Sequence, residues 1–302
     1  MRPRRVLVTA AVVVTALATA LVTIVTAGAS TGTPSAHGAL RADGALAAAE
    51  ASVVAEAKTA VASRPTARYV ALGDSYSAGT GAGPYAKAGR GCERSARAFP
   101  QLWASQHAAA SFTSVACAGA TTATVLGRQL SALSTRTTLV SLTIGGNDVG
   151  FSHVMETCVL EWDSACANAV STAEKSITTT LPGQLDSVLR AVRAHAPQAR
   201  IVLLGYPDLY DLSRSAGCFG IGTTKRTALN QGADVLNRAL AAAAARNGDT
   251  FADVRADFAG HQICGGGTGY LNAITFPLDS SYHPTAAGQK YGYLPALTSA
   301  QP

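Results

Sequence analysis

The chain has 302 residues, of which 48% are hydrophobic and 14% are charged, with a formal net charge of +6. Three of these charges belong to arginines in the first 30 residues, and the +3 left on the remainder is too weak to indicate binding to nucleic acid. Since no internal repeat or change of composition divides the chain, we expect one globular domain with one substantial core.

The N-terminus has the pattern of an export signal. Arg2, Arg4 and Arg5 precede an uncharged run from Val6 to about Ala27, and small residues follow at 27–29. We predict a signal peptide over residues 1–29 and a secreted protein. The run is long enough to span a bilayer, so an uncleaved membrane anchor is the alternative. No later segment resembles a membrane span.

An alanine-rich stretch, residues 30–66, separates this signal from the rest of the chain. It has good helix propensity but little to bury except small side chains, which favours a linker or pro-segment. The folded domain is predicted to span residues 67–302.

Within that domain, short apolar strands alternate with helical patterns. Strands are predicted at 68–72, 139–144, 200–204 and 251–254, and helices at 99–107, about 168–194 and 223–246. This alternation predicts an α/β fold with three α/β/α layers around a mainly parallel central sheet. Reactive groups in such folds gather at the carboxyl ends of the strands.

A candidate nucleophile, Ser75, directly follows the first strand. The segment Gly73-Asp74-Ser75-Tyr76-Ser77-Ala78-Gly79 predicts a tight strand-to-helix turn that holds the serine hydroxyl out of the sheet. The alternative is that Asp74 or Ser75 only caps the following helix. The segment is not GxSxG, so the common lipase elbow does not apply.

Two further segments offer chemistry. Asn147, in Gly145-Gly146-Asn147-Asp148 after the central strand, has a side-chain amide that could donate to an oxyanion, although a plain glycine turn explains the segment equally well. His283 precedes Pro284, where we expect a helix to begin, and a loop histidine can reach a nucleophile across the top of the sheet. A structural role for His283 is the alternative.

Taken together, these segments resemble the SGNH family, also called GDSL hydrolases. Gly73-Asp74-Ser75-Tyr76-Ser77 resembles the first family block, Cys117-Ala118-Gly119-Ala120-Thr121-Thr122 the second, Gly145-Gly146-Asn147-Asp148 the third and the His283-Pro284 segment the last. The resemblance covers about residues 67–295 and is nearest to secreted actinobacterial lipases and phospholipases.

The resemblance implies a set of roles. Ser75 would attack an ester carbonyl while His283 accepts its proton, and the backbone N–H groups of Ser75 and Gly119 would form an oxyanion hole with the Asn147 amide. No cofactor and no metal are implied.

The chain departs from the family pattern at the acid that orients the histidine. Many members carry an aspartate three residues before the histidine, where this chain has Ser280, and Asp279 lies one residue further back. Either Asp279 reaches the imidazole through an altered loop, or a main-chain carbonyl near Ser280 or Ser281 orients it, as in related Ser-His dyads. We favour the carbonyl, which offers less charge to an imidazolium than a carboxylate does.

Six cysteines form an even set, which in an exported protein favours three disulfides. Fifteen pairings are allowed, and we expect the sequential one, because each bond then closes a loop without threading another. The expected pairs are Cys92 with Cys117, Cys158 with Cys166, and Cys218 with Cys264. A zinc site is disfavoured because the chain has no CxxC or HExxH motif.

The sequence therefore predicts a secreted serine esterase or lipase acting on fatty acyl esters, of the triacylglycerol lipase or phospholipase A type. Within the enzyme class the alternative is a carbohydrate (acetyl) esterase, and outside it a non-catalytic surface-binding protein. A lipid or other ester substrate is the expected partner, with no nucleic acid and no stable protein partner, and a monomer is expected. Trp103 is expected in the core, whereas Trp162 could pack there or border the site.

Overall fold

The computed structural model describes residues 66–87, 90–214, 218 and 220–301. These residues belong to one unit, Pro65–Pro302. The predicted signal peptide (1–29) and the predicted linker (30–66), except for its last residue, lie outside the described residues.

A sheet of five parallel strands forms the centre of the described structure. The strands are β1 (Arg68–Gly73), β2 (Ser111–Ser114), β3 (Leu139–Thr143), β4 (Arg200–Leu204) and β5 (Thr250–Ala252). Their order is β2-β1-β3-β4-β5, and every neighbouring pair is parallel. The chain moves from β1 to β2 on one side and then returns to form β3 on the other side of β1. This change of direction opens a crevice beyond the carboxyl ends of β1 and β3.

Helices pack on the sheet and connect its strands. They are α1 (Ser75–Ala78), α2 (Phe99–Gln106), α3 (Thr122–Thr124), α4 (Phe151–Leu160), α5 (Asp163–Thr179), α6 (Leu181–His195), α7 (Thr223–Asn247), α8 (Arg255–Phe258) and α9 (Leu294–Ser299). Two π-helical turns, Val125–Gln129 and Gly288–Tyr293, and three 3-10 turns, Arg90–Cys92, Leu130–Ala132 and Leu278–Ser280, complete the helical structure. The predicted α/β fold with a parallel central sheet is confirmed.

The element boundaries correct the sequence reading in several places. The single helix predicted at about 168–194 was wrong: α5 and α6 are separate, with Thr180 between them and Pro182 in the first turn of α6. Proline lacks a backbone N–H and is tolerated at a helix start, so it favours a new helix there. The last predicted strand lies earlier, at Thr250–Ala252, and β2 and α4 were not predicted.

The burial of the central strands explains why their apolar pattern is clear in the sequence. Every residue of β3 is buried, and β1 is buried from its second residue onwards, as expected for strands covered on both faces. The edge strand β2, with the sequence Ser-Phe-Thr-Ser, alternates between exposed and partly buried residues.

Three disulfides join the predicted pairs, Cys92–Cys117, Cys158–Cys166 and Cys218–Cys264. The first ties the turn before α2 to the segment that follows β2, and the second connects α4 to α5. Each removes conformational freedom from the unfolded chain. Among the described residues, no helix is long and apolar enough to cross a membrane.

Candidate active site

The turn after β1 places Ser75 at the carboxyl edge of the sheet. Gly73 has a φ of 112°, and a Cβ at this position would collide with the carbonyl oxygen of Thr143, so the chain requires glycine there. Asp74 caps α1 by accepting a hydrogen bond from the backbone N–H of Tyr76 at 3.0 Å. The capping role therefore belongs to Asp74, which leaves the Ser75 hydroxyl free for another partner.

Asp74 is the centre of a buried polar network. Its Oδ1 accepts from the Thr143 hydroxyl at 2.6 Å, and its Oδ2 accepts from the Tyr206 hydroxyl. Burial raises the pKa of Asp74 to about 6, while the hydrogen bonds from Thr143 and Tyr206 act in the opposite direction. The carboxylate is thus ionised at neutral pH and holds the Ser75 turn to the ends of β3 and β4.

Ser75 and His283 meet across 208 positions of sequence. The Ser75 Oγ lies 2.8 Å from His283 Nε2, and His283 Nδ1 lies 3.0 Å from the carbonyl oxygen of Ser281. Because a carbonyl only accepts, Nδ1 carries the proton and Nε2 presents its lone pair to the serine hydroxyl. Burial lowers the pKa of His283 to about 4, so the imidazole is neutral at pH 7.

Backbone pairing fixes the loop that carries His283. The N–H of Asn272 donates to the carbonyl of His283, and the N–H of Tyr282 donates to the carbonyl of Asn272, both at 3.0 Å. The Tyr76 hydroxyl donates to the carbonyl of Tyr282 at 2.7 Å, which links this loop to α1. Pro284 pairs with Leu271 in an isolated bridge, and helical residues begin only after Thr285, so the predicted helix start at Pro284 was wrong.

The Asp279 carboxylate contacts Ser280 and Glu93 rather than the His283 imidazole. It accepts from the Ser280 hydroxyl at 3.4 Å and lies beside Glu93, whose pKa is raised mainly by burial and further by Asp279. Burial remains the dominant influence on the pKa of His283, and the charge of Asp279 only opposes it. The side-chain acceptor of a full triad is thus replaced, in this geometry, by a main-chain oxygen.

The two remaining predicted donors face the same groove as Ser75 and His283. The Asn147 amide donates one hydrogen bond to the carbonyl of Ala120 at 2.9 Å, and an amide nitrogen carries a second N–H that can donate to another acceptor. Gly119, at a φ of 74°, lies in the turn before Ala120 and lines the groove with Asn147. The Ala120 contact therefore connects the Gly119 turn to the end of β3.

Asp148 strengthens that connection, although the sequence reading assigned it no role. Its carboxylate accepts from the backbone N–H of Thr122 at 3.0 Å and from the Thr122 hydroxyl at 2.5 Å. Thr122 begins α3, so an acid at this point also suits the positive end of that short helix.

Two cavities meet at Ser75. One is an open groove of about 540 Å³ that extends from Ser75 and His283 between α4 and the loop 274–283. The other is narrower, about 70 Å³, and runs beneath α4, α5 and α7. Apolar side chains line most of this second cavity, including Phe151, Val154, Val170, Ile177, Leu229 and Leu236.

Tyr206 and Thr143 were missed by the sequence reading, although a usable signal was present. Thr143 is the last residue of β3 and Tyr206 lies two residues after the end of β4, so both satisfy the strand-end rule that singled out Ser75 and Asn147. Neither hydroxyl belongs to a motif for a nucleophile, a base or an oxyanion donor, so the motifs did not predict their role.

Three histidines besides His283 form local contacts with the main chain. The imidazoles of His107, His195 and His261 each contact a nearby main-chain carbonyl, and the described residues contain no group of three or more potential metal ligands. His37 lies outside the described residues. Trp103 is buried against Tyr69, as expected, whereas Trp162 is 80% exposed and packs neither in the core nor in the groove wall.

The model of the GDSL-like lipase/acylhydrolase family matches residues 71–291. The chain belongs to this family. The resemblance seen in the sequence is confirmed, and membership makes the protein a carboxylic ester hydrolase.

Similar family members include several from Streptomyces. Lipase 1 of Streptomyces coelicolor is 49% identical over 244 residues, which is 80% of this chain and 90% of that protein. The crystal structure of an extracellular lipase from Streptomyces rimosus has 47% identity and a TM-score of 0.75, covering 77% of this chain and 99% of that one. A phospholipase A1 structure from Streptomyces albidoflavus NA297 has 49% identity and a TM-score of 0.74, covering 77% and 98%.

Proposed function

We propose that the protein is a secreted lipase or phospholipase A that hydrolyses fatty acyl esters with Ser75 as nucleophile and His283 as general base. The observation that carries this proposal is the 2.8 Å contact between the Ser75 hydroxyl and the unprotonated Nε2 of the His283 imidazole. Relatives named as lipases and a phospholipase A1 support the substrate class.

The reaction begins with attack on the ester carbonyl carbon by Ser75 Oγ as His283 Nε2 takes its proton. The resulting imidazolium, held by the Ser281 carbonyl through Nδ1, then donates that proton to the leaving alcohol. Water attacks the acyl-enzyme in the second half of the reaction, with His283 again as base, and the fatty acid is released.

Negative charge on the carbonyl oxygen requires donors that are already in place. The backbone N–H groups of Ser75 and Gly119 and the second N–H of the Asn147 amide fill this role. The contacts of Asn147 with Ala120 and of Asp148 with Thr122 hold two of the three donors, so little reorganisation is needed as charge develops.

The two cavities divide the substrate. The narrow cavity begins at Ser75 and has an almost wholly apolar lining, so it accepts the acyl chain. The open groove carries the carboxyl groups of Glu93, Glu156 and Asp279 and receives the alcohol part. The acyl chain thus leaves water while the more polar part of the lipid stays near solvent.

Secretion is part of the same proposal. It is supported by the arginine-led apolar N-terminus, by three disulfides, which are typical of oxidising compartments, and by the description of the Streptomyces rimosus neighbour as an extracellular lipase.

A chain-length profile on p-nitrophenyl esters from acetyl to palmitoyl tests the substrate class. We expect kcat/KM to be highest on esters longer than butyryl. An optimum at acetyl with no activity beyond butyryl would replace the lipase proposal with the acetyl esterase alternative.

A matched pair of variants on α5 tests the acyl cavity. Ala173 lines this cavity, whereas Ala167 is exposed on the same helix. We expect Ala173→Phe to lower kcat/KM on the decanoyl ester by about tenfold or more, with acetyl ester turnover retained, because the added ring occupies acyl space. Ala167→Phe should leave both values near wild type. Equal losses on both esters in Ala173→Phe would place the acyl chain elsewhere.

A further inference from the structure

Most of the exposed large hydrophobic side chains on the described surface lie in two short segments. Eight such side chains are exposed, and five of them lie in two short segments, residues 160–162 and 274–278. The four most exposed of the eight are all in this set. We refer to the five together as the rim patch: Leu160, Trp162, Ile274, Phe276 and Leu278.

The rim patch is continuous with the groove that contains Ser75 and His283. Leu160, Ile274 and Leu278 line this groove directly, while Trp162 and Phe276, which are 80% and 86% exposed, lie beside them in the sequence and outside the groove wall. A contiguous exposed apolar patch is typical of an interaction surface, whereas single exposed hydrophobic residues are ordinary.

Both segments are held in their exposed positions. The fully buried disulfide Cys158–Cys166 closes the loop that contains Leu160 and Trp162, and the Lys225 ammonium donates to the carbonyl of Glu161 in the same loop. The disulfide and this hydrogen bond restrain the loop that presents Trp162 at the surface.

The second segment is restrained through Ser281. The Ser281 hydroxyl accepts from the N–H of Thr275 at 3.0 Å and lies 3.2 Å from the carbonyl of Thr275. This contact ties Ile274 and Phe276 to the loop that carries His283, so the rim patch and the base are positioned by the same stretch of chain.

The charged side chains that line the groove are acidic. The groove is lined by Glu93, Glu156 and Asp279 and, among the described residues, by no lysine or arginine. Glu161 and Asp163 flank Trp162 in the sequence, but the Lys225 ammonium lies 3.8 Å from Asp163 and offsets its charge, so the negative charge of the mouth comes mainly from the groove carboxyls. These carboxylates would repel a lipid surface with net negative charge, but not a lipid surface without net charge.

We propose that the rim patch inserts into the surface of a lipid aggregate whose headgroups carry no net charge, and so places the groove mouth over the substrate. This inference rests on the proposed lipolytic function and names its physical substrate as aggregated rather than dispersed lipid. The five side chains leave water when the protein docks, and an ester in the outer lipid layer reaches Ser75 through the groove.

Trp162 provides a direct test because Trp103, the other tryptophan of the chain, is buried. Full-length Ser75→Ala protein is titrated with vesicles of diether phosphatidylcholine, which has no ester to cleave. We expect tryptophan emission to shift to shorter wavelength as vesicles are added, and the shift to be absent in Ser75→Ala/Trp162→Phe. Vesicles of diether phosphatidylglycerol should produce a smaller shift at the same lipid concentration.

A kinetic test separates docking from chemistry. In the Trp162→Ser/Phe276→Ser variant we expect hydrolysis of diacyl phosphatidylcholine vesicles to fall by about tenfold or more, since two large apolar side chains no longer enter the lipid. Turnover of monomeric p-nitrophenyl butyrate should stay within about twofold of wild type, because neither residue lines the groove. Leu212→Ser removes an exposed leucine outside the rim patch and should leave both activities unchanged.

The outcomes distinguish this inference from the proposed function. No spectral shift with phosphatidylcholine, or a shift that depends on protein concentration without lipid, would overturn the inference, and the latter would make the patch a contact between copies of the chain. Tighter binding to phosphatidylglycerol would also contradict it. An inactive wild-type protein on every ester, with the vesicle shift intact, would remove the catalytic proposal and leave lipid binding in place.

Discussion

The nucleophile and the base are held by two contrasting regions. The Ser75 turn is buried and fixed by side chains: Asp74 accepts from Thr143 and Tyr206 as well as from α1. The His283 loop is partly exposed and fixed mainly by main-chain groups, among them the carbonyl of Ser281. Each region therefore contains an aspartate near the reacting pair, but only Asp74, on the nucleophile side, takes part in the supporting network.

This difference teaches that a nearby acid in the sequence does not identify the group that orients a histidine. The buried acid positions a serine, and the exposed acid, Asp279, lies beside Glu93 at the groove wall. Support for the nucleophile should therefore be sensitive to side-chain substitution, while support for the base should tolerate it.

The largest expected effect comes from removing the base itself. His283→Ala should lower kcat on p-nitrophenyl butyrate by about 10⁴-fold or more, because Ser75 then has no proton acceptor. Unfolding by urea, followed by circular dichroism, serves as the control for folding. Residual activity within a hundredfold of wild type would show that another group accepts the proton.

The next effect tests the buried network on the nucleophile side. Thr143→Val keeps the shape of the side chain but removes one of the three hydrogen bonds to Asp74 and the hydroxyl that accepts from the N–H of Ser77. We expect the free energy of unfolding in urea to fall by about 2–3 kcal/mol. Thr113→Val, at an exposed position on the edge strand, should change it by less than about 0.5 kcal/mol. Equal, small changes in both variants would mean that the network contributes little.

A third effect concerns the protonation of the base. Burial lowers the pKa of His283 to about 4, so its imidazole should stay neutral down to about that pH and gain a proton only below it. NMR titration of the histidine ring signals, assigned by their loss in His283→Ala, measures this directly. A midpoint near 6.5, the value of an exposed histidine, would contradict the buried environment.

The smallest effect is expected on the base side. Asp279→Asn should lower kcat by less than tenfold, because the Ser281 carbonyl still fixes the tautomer. The pKa of His283 should fall slightly, since the charge of Asp279 raises it. A loss of about 10⁴-fold would show instead that Asp279 is a true triad partner and that the two regions are alike.

Much of this arrangement could be predicted from the sequence because its signals are local. The strand β1 has the apolar run Tyr69–Leu72 and β3 is mostly apolar, and Ser75 and Asn147 lie two and four residues after the ends of these strands. Parallel strands bring such positions to one edge of the sheet, so their proximity followed from the strand pattern. His283 was found by its motif.

The missed features depend on long-range contacts or weak local patterns. The strand β2 is short, polar and half exposed, so no apolar run marks it. The hydroxyls of Thr143 and Tyr206 gain their role through contacts with Asp74, which lies 69 and 132 positions away. Which oxygen faces His283 Nδ1 depends on the path of one loop, and residue spacing alone allowed both Asp279 and a carbonyl.

The most direct test of the central claim is covalent labelling of the active serine. A serine-directed alkyl phosphonate should modify the oxidised wild-type protein at Ser75, as located by mass spectrometry of its peptides, and should label His283→Ala far more slowly and Ser75→Ala not at all. Labelling at another serine, or equal rates in wild type and His283→Ala, would contradict the pairing of Ser75 with His283.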